Sequence, residues 1–383
     1  MLFSPITSED YLERIVETKN RMRTENMDLL IVFSDSWRSA NCRYLTGIKP
    51  YPALARDYWG IGYAPVSLIT IPLEEDPTVF ISDLMYEYAK REIAGTLREK
   101  PWIDVKPWTK TKSFLRDLGE KVKNIGFEGK DIIPWPVYEI FREAVGSEMK
   151  DTEILELQRR IKSEREIKLM EVASNINDRI CEELVRGIIR KGVTEREIER
   201  KIKMLGHSMD AEYVDANFMQ SRNVGFGHST DATIEDGSLL SLHVILQYEG
   251  YNSDNDRIFG FGNISEEEKE LAKITNEAFE KGLSTIKPGI KGSEAPKAAL
   301  DTHEFVALGK EGGAGTYGHG IGLEGEELGF IDDWILKKGM TFAFATGAYN
   351  KDFGAAWATE DVIVVTESGA RSLTKFDRDF IIH

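Results

Sequence analysis

The segment GSLLSLHVILQYEGYNSDNDRIFGF, residues 237–261, decides the fold of this protein. Its first half is apolar and alternating, and a turn around Tyr248–Tyr251 separates it from a second half that carries Asp254-Asn255-Asp256. This pattern predicts two antiparallel strands joined as a hairpin. Since successive side chains of a strand point to opposite faces, His243 lies on the face opposite the leucines that flank it.

Helical patterns and further strands surround the hairpin. Residues 149–188 are strongly helical with a break near Lys162, and Thr194 with Glu197 predicts a capping box at the start of the next helix. Strands follow at 214–221 and 238–260, and a helix covers 265–285. This mixture predicts an α+β domain over residues 150–383.

Residues 1–149 have a different pattern, typical of a small α/β domain. Apolar runs predict strands at 28–35, 66–73 and 78–83, and amphipathic patterns predict helices at 10–25, 84–95 and 111–123. The segment 36–63 is long, aromatic and without periodicity, which favours a functional loop. A chain of 383 residues fits such a two-domain protein.

Composition excludes several classes of partner. The formal net charge of −16 argues against nucleic acid as a partner. No apolar stretch approaches 18 residues, so no membrane span is expected. The two cysteines, Cys42 and Cys181, are far apart, and the N-terminus lacks the pattern of a signal peptide. We therefore expect a cytoplasmic protein that has neither nucleic acid nor a membrane as its partner.

Titratable residues in Gly-rich turns and at strand ends are the candidates for chemistry. His228 lies in SRNVGFGHSTDA, His319 in GTYGHGIGLEGEE together with Glu326 and Glu327, and Glu360 precedes the apolar strand VIVV. Taken singly, a histidine on a strand is usually a core residue and an acidic pair is usually solvated. Only the order and spacing of these residues point to a site.

That order resembles the creatinase, prolidase and aminopeptidase P family with its "pita-bread" fold. The similar segments are ELQRRIKSEREIKLMEVAS, the hairpin 237–261, GHGIGLE, KKGMTFAFATGAY and WATEDVIVVTESGARSLT. The first half matches less sharply, through ANCRYLTGI. The resemblance implies a creatinase/prolidase-type N-terminal domain over 1–149 and a pita-bread catalytic domain over 150–383.

The resemblance also implies a metal-ligand set. Metalloenzymes of this family hold two divalent ions with two Asp, one His and two Glu, and these positions fall on His243, Asp254, His319, Ala345 and Glu360. Ala345 offers no donor, and His243 cannot bridge two ions as a carboxylate does. A dinuclear site is therefore not expected, and the main expectation is an enzyme without a metal cofactor.

Creatinase is the metal-free precedent in the family. Its catalytic histidine matches His228, its two substrate-binding glutamates fall on Asp256 and Glu360, and Arg56 is the residue nearest to its carboxylate-binding arginine. We therefore expect a hydrolase that cleaves a C–N bond in a small cationic substrate. Its catalytic residues would be His228, Glu360 and Asp256, and its substrate-binding residues Asp254, His319, Glu326, Glu327 and Arg56.

Two alternatives remain open. One divalent ion held by His243, Asp254, His319 and Glu360 would make a mononuclear Xaa-Pro peptidase-like enzyme or a lyase. A non-catalytic binding protein could also use this fold. Creatinase-like members pair as homodimers, and we expect the aromatic segment 36–63 to cross between subunits.

Overall fold

The computed structural model describes residues 6–50, 66–94, 101–220, 227–301, 316–350 and 355–382. The chain divides into two compact units, Met1–Arg159 and Arg160–His383. The first unit therefore ends at Arg159, whereas the sequence predicted a domain boundary after residue 149. The reason is that strand Met149–Asp151 pairs with Ile125–Glu128, and the backbone N–H of Leu155 donates to the Glu128 carboxylate.

The first unit is a mixed sheet with helices. Its elements are α1 (Ser8–Thr24), β1 (Leu29–Asp35), α2 (Ala40–Thr46), β2 (Val66–Pro72), β3 (Thr78–Ile81), α3 (Tyr86–Ala94), β4 (Asp104–Pro107), α4 (Thr111–Gly119), β5 (Ile125–Glu128), α5 (Trp135–Val145), β6 (Met149–Asp151) and α6 (Ile154–Arg159). The strand order is β4-β3-β2-β1-β5-β6. The predicted strands and helices of this half are confirmed.

The segment 36–63 differs from its prediction as a loop. Its described part contains α2, which is too short for a periodic signal but buries Cys42 and Leu45 completely. Residues 51–65 lie outside the described residues. Helix α2 therefore owes its place to packing against the sheet rather than to local pattern.

The second unit combines one large sheet with helices. Its elements are α7 (Glu164–Glu183), a π-helical turn (Leu184–Ile188), α8 (Glu195–Ser208), β7 (Tyr213–Gln220), β8 (Ser238–Tyr248), β9 (Tyr251–Phe261), α9 (Glu266–Thr285), α10 (Glu294–Leu300), β10 (Thr316–Gly320), β11 (Glu327–Phe330), β12 (Thr341–Asn350), β13 (Ala355–Val365), β14 (Ala370–Ser372) and β15 (Asp379–Ile382). The main strand order is β11-β10-β12-β13-β9-β8-β7, with β14 on β13 and β15 on β9.

Local sequence signals set the ends of these elements. Ser163 and Thr194 each form a capping box with the glutamate three residues later, which starts α7 after the break near Lys162 and starts α8. The hairpin of β8 and β9 forms as predicted. Leu240, Leu242 and Val244 pack into a core with α7 and α8, so the other face of the sheet is left for His243.

None of the helices in the described part of the chain combines the length and apolar character needed to cross a bilayer.

Candidate metal centre

The strand register brings the titratable residues into one row across the sheet. His243 on β8 pairs with Asp256 on β9, Asp256 pairs with Glu360 on β13, and Glu360 pairs with Ala345 on β12. Asp254 lies two residues before Asp256 and therefore faces the same side. His319 comes from β10, which pairs with β12 on the far side of this row. Residues distant in sequence thus meet on one face.

Two histidines point their Nε2 atoms at two carboxylates. His243 Nε2 lies 2.5 Å from Asp254 Oδ1 and 3.6 Å from Glu360 Oε2. His319 Nε2 lies 3.7 Å from Asp254 Oδ2 and 3.6 Å from Glu360 Oε1. The ligand atoms of His243, Asp254 and Glu360 all lie within 4.8 Å of one another. Such a spacing suits atoms that bind one ion.

Several buried carboxylate oxygens of this cluster have no hydrogen-bond donor in the part of the chain that the structure describes. Within the described residues, no donor hydrogen-bonds either carboxylate oxygen of Glu360 or the Oδ1 atom of Asp256. The two side chains are buried, at 0% and 1% exposure. Because a buried charge without a partner is costly, buried carboxylates normally pair with a cation or bind a metal. The donor set therefore fits a divalent metal ion.

The electrostatics of the cluster agree with a cation site. Burial alone would lower the pKa of His243, but Asp254, Asp256 and Glu360 raise it well above its usual value. Burial and the neighbouring carboxylates raise the pKa of Asp256 to about 7. Burial and Asp254 also raise the pKa of Glu360. The negative charges of carboxyl groups this close repel one another, which favours the protonated form of Asp256 and Glu360.

Among the residues that the structure describes, this cluster has a full donor set for one ion. Ala345 is buried directly beside Glu360, where it contributes no ligand atom. His243 offers a single nitrogen, whereas a carboxylate could bind with two oxygens. The described donors are those of one ion, and the absence of a dinuclear site of the family type stays a prediction.

A buried ion pair supports the turn that follows the strand of His319. Lys162 Nζ lies 2.6 Å from Glu327 Oε2, and both side chains are almost fully buried. Glu327 Oε1 also accepts a hydrogen bond from the backbone N–H of Leu323. Its carboxylate is thus occupied within the protein, which favours a structural role over the predicted contact with substrate. Lys162 gave no functional signal in the sequence.

The remaining predicted site residues lie outside this cluster. His228 is exposed and follows the bridge between Phe218 and Gly227, and its neighbour Ser229 donates to Glu199 on α8. Glu326 is exposed. Arg56 lies outside the described residues.

Comparison with known families identifies both units. A sequence profile of the creatinase/prolidase N-terminal domain matches residues 14–166, and that of metallopeptidase family M24 matches residues 168–367. This chain belongs to metallopeptidase family M24. The expected architecture of a creatinase/prolidase-type N-terminal domain and a pita-bread catalytic domain is thereby confirmed, and so is the assignment as a hydrolase of C–N bonds.

Several relatives of this chain are named Xaa-Pro dipeptidases. The chain is 30% identical over 359 residues to an Xaa-Pro dipeptidase of Pyrococcus horikoshii, covering 90% of this chain and 93% of the relative. It is 27% identical over 379 residues to an Xaa-Pro dipeptidase of Pyrococcus furiosus, covering 93% and 99%. The crystal structure of the P. horikoshii prolidase matches with a TM-score of 0.81 at 27% identity, over 96% of this chain and 99% of that one.

Membership of M24 corrects the expectation of an enzyme without metal. That expectation was wrong, because the chain belongs to a family of metallopeptidases. The expectation rested on Ala345 and His243, which replace two carboxylate ligands of the family, and gave too little weight to the ligand positions that remain. His243, Asp254, His319 and Glu360 still converge, and one ion needs no more than four such donors.

Proposed function

We propose that this protein is a peptidase that binds one divalent metal ion through His243, Asp254, His319 and Glu360 and hydrolyses Xaa-Pro dipeptides. The observation that carries this proposal is the convergence of two imidazole nitrogens on two buried carboxylates. The substrate class follows the relatives named above. Two nitrogen donors favour a transition metal such as zinc over magnesium or calcium.

A divalent ion bound here would polarise the scissile carbonyl and lower the pKa of a bound water. Asp254 and Glu360 together carry the two negative charges that balance such an ion. His319 is not in the group of three whose ligand atoms lie within 4.8 Å of one another, but its Nε2 lies 3.7 Å from an Asp254 oxygen and 3.6 Å from a Glu360 oxygen. Asp256, the third buried carboxylate of the row, is also outside that group. We assign Asp256 to the α-ammonium group of the dipeptide, because this cation would balance the remaining negative charge.

A proton must also reach the departing proline nitrogen. His243 and His319 cannot deliver it from Nε2, since these atoms are metal ligands in this proposal. His228 is exposed and therefore accessible to a substrate. We assign the proton transfer to His228, a role that typically contributes about 10²–10⁴-fold in rate.

Metal analysis joined to an activity assay tests the proposal. The purified protein should contain about one equivalent of a transition metal, and a chelator should abolish hydrolysis of Xaa-Pro dipeptides. His319→Ala should lose the ion and the activity, whereas His207→Ala, which changes an exposed histidine on α8, should keep both. His228→Ala should keep the ion but lose turnover. A folded protein that binds no ion and cleaves no dipeptide would support the non-catalytic alternative instead.

The homodimer and the cytoplasmic location expected from the sequence remain predictions. Light scattering at micromolar concentration tests the first of them, and a strictly monomeric mass would contradict it.

A further inference from the structure

Asn217 lies beside His243 at the end of the row of site residues. The two residues are direct partners in the register of β7 and β8, and Asn217 Nδ2 lies 3.5 Å from His243 Nδ1. The sequence of β7 explains why this side chain faces the site. Val214, Ala216 and Phe218 pack into the apolar core, so Asn217 points to the opposite face of the strand.

The two ring nitrogens of His243 face different groups. Nε2 points at Asp254 and Glu360, while Nδ1 points at Asn217. To bind a metal ion, Nε2 must present a lone pair, and the ring proton must then be on Nδ1. An Nδ1–H group needs a hydrogen-bond acceptor. Rotation of the Asn217 amide by about 180° exchanges its nitrogen and oxygen and brings Oδ1 to the position facing the ring.

His319 shows the same arrangement with a different acceptor. Its Nδ1 lies 3.1 Å from the backbone carbonyl oxygen of Gly320, while its Nε2 faces the carboxylates. A metal-binding histidine almost always donates its second N–H to an oxygen of this kind, which fixes the ring and its tautomer. His319 obtains that oxygen from the backbone of the next residue, Gly320, which ends its strand. His243 lies in the middle of a strand, so a side chain must provide it.

We propose that Asn217 is the positioning residue of His243. Its Oδ1 accepts a hydrogen bond from Nδ1–H of His243 and so holds the Nε2 lone pair toward the metal ion. This inference rests on the proposed single-ion site and adds a residue outside the ligand set. It also accounts for a polar side chain opposite His243 on a strand whose other face is apolar.

Zinc affinity, measured by competition with a chromogenic chelator, tests this role in the full-length protein. Asn217→Leu removes the acceptor at nearly equal volume and should weaken zinc binding by about 10–100-fold. Asn217→Asp keeps an acceptor oxygen and should bind zinc at least as tightly as the unmodified protein. Asp215→Asn, two residues away on the same strand, should leave zinc affinity unchanged, since Asp215 pairs with Lys203 instead.

A second measurement follows the ring itself. In the zinc-loaded protein with ¹⁵N-labelled histidine, the Nδ1–H signal of His243 should be protected from exchange, and Asn217→Leu should remove that protection. Asn217→Ala replaces Asn217→Leu if the latter fails to fold. An unmodified protein that binds zinc, together with a folded Asn217→Leu variant of equal affinity, would overturn this inference alone. An unmodified protein that binds no zinc would overturn the proposed function as well.

Discussion

At the scale of single residues, Ala345 and His243 decide how many ions the cluster can hold. Ala345 is paired in register with Glu360, so a carboxylate at this position would lie next to one that is already buried without a hydrogen-bond donor. As a metal ligand, His243 would provide one nitrogen in place of a carboxylate. In the proposed site, the cluster therefore has the charge and the donors for one divalent ion rather than two.

Ala345→Glu tests this explanation by returning a carboxylate to the row. We expect metal analysis after dialysis to show a rise from about one ion toward two per chain, because the new side chain adds both a ligand and a negative charge. Ala345→Gln has nearly the same volume without the charge and should stay near one ion. Both variants add atoms to a packed site, at a cost of about 1–3 kcal/mol. A folded Ala345→Glu protein that still binds one ion would contradict the explanation.

At the scale of elements, the turn between β10 and β11 depends on a partner far away in sequence. Lys162 and Glu327 are 165 residues apart, yet they form a buried pair at 2.6 Å. The same turn accepts two hydrogen bonds from Asn252 on β9 through the carbonyl of Gly322. Gly322 has no space for a side chain, since a Cβ atom would lie 2.6 Å from Lys162 Cε. The turn that follows the strand of His319 is therefore fixed by a buried polar network.

Lys162→Met should destabilise the protein by about 3–5 kcal/mol, because it leaves the Glu327 carboxylate buried without a counter-charge. Denaturant unfolding of the full chain measures this loss. The double variant Lys162→Met/Glu327→Gln removes both charges and keeps an acceptor for the Leu323 N–H, so much of the loss should be recovered. Lys338→Met breaks an exposed pair with Glu367 and should cost less than about 1 kcal/mol. Equal losses for the Lys162→Met and Lys338→Met variants would argue against the role of burial.

At the scale of the whole molecule, the proposed metal site belongs to one of the two compact units. All four proposed ligands lie within Arg160–His383. Each unit has its own hydrophobic core, one around β1, β5 and α5 and others on β8 and β12. A ligand that binds only the folded form of one unit stabilises that unit by mass action.

Calorimetry with and without zinc should show this difference. At a free zinc concentration of 100 times Kd, the unit Arg160–His383 should gain about 2.7 kcal/mol, and its unfolding transition should move to higher temperature. The transition of Met1–Arg159 should stay where it is. His319→Ala serves as the control, because without this ligand zinc should shift neither transition. If both transitions moved together in the unmodified protein, the two units would unfold as one.

The sequence by itself determined the fold class, most of the elements and the identity of the ligand candidates. The elements follow from local patterns: alternation along β8, the break near Lys162 and the capping box at Thr194. The ligand candidates follow from the order of motifs that resembles the family. Helix α2 was missed because its few residues are held by tertiary packing rather than by periodicity.

Only the tertiary structure decided which residues lie together in the site and which of their buried oxygens lack a hydrogen-bond donor. The register of β8, β9 and β13 places Asp256 between His243 and Glu360. On one side of this row, Asn217 on β7 pairs with His243, and on the other side Ala345 on β12 pairs with Glu360 but provides no ligand atom. The sequence pointed to an enzyme without metal because it shows which ligands are lost. It cannot show that the remaining donors converge on buried oxygens without hydrogen bonds, since convergence depends on strand pairing between segments up to about a hundred residues apart.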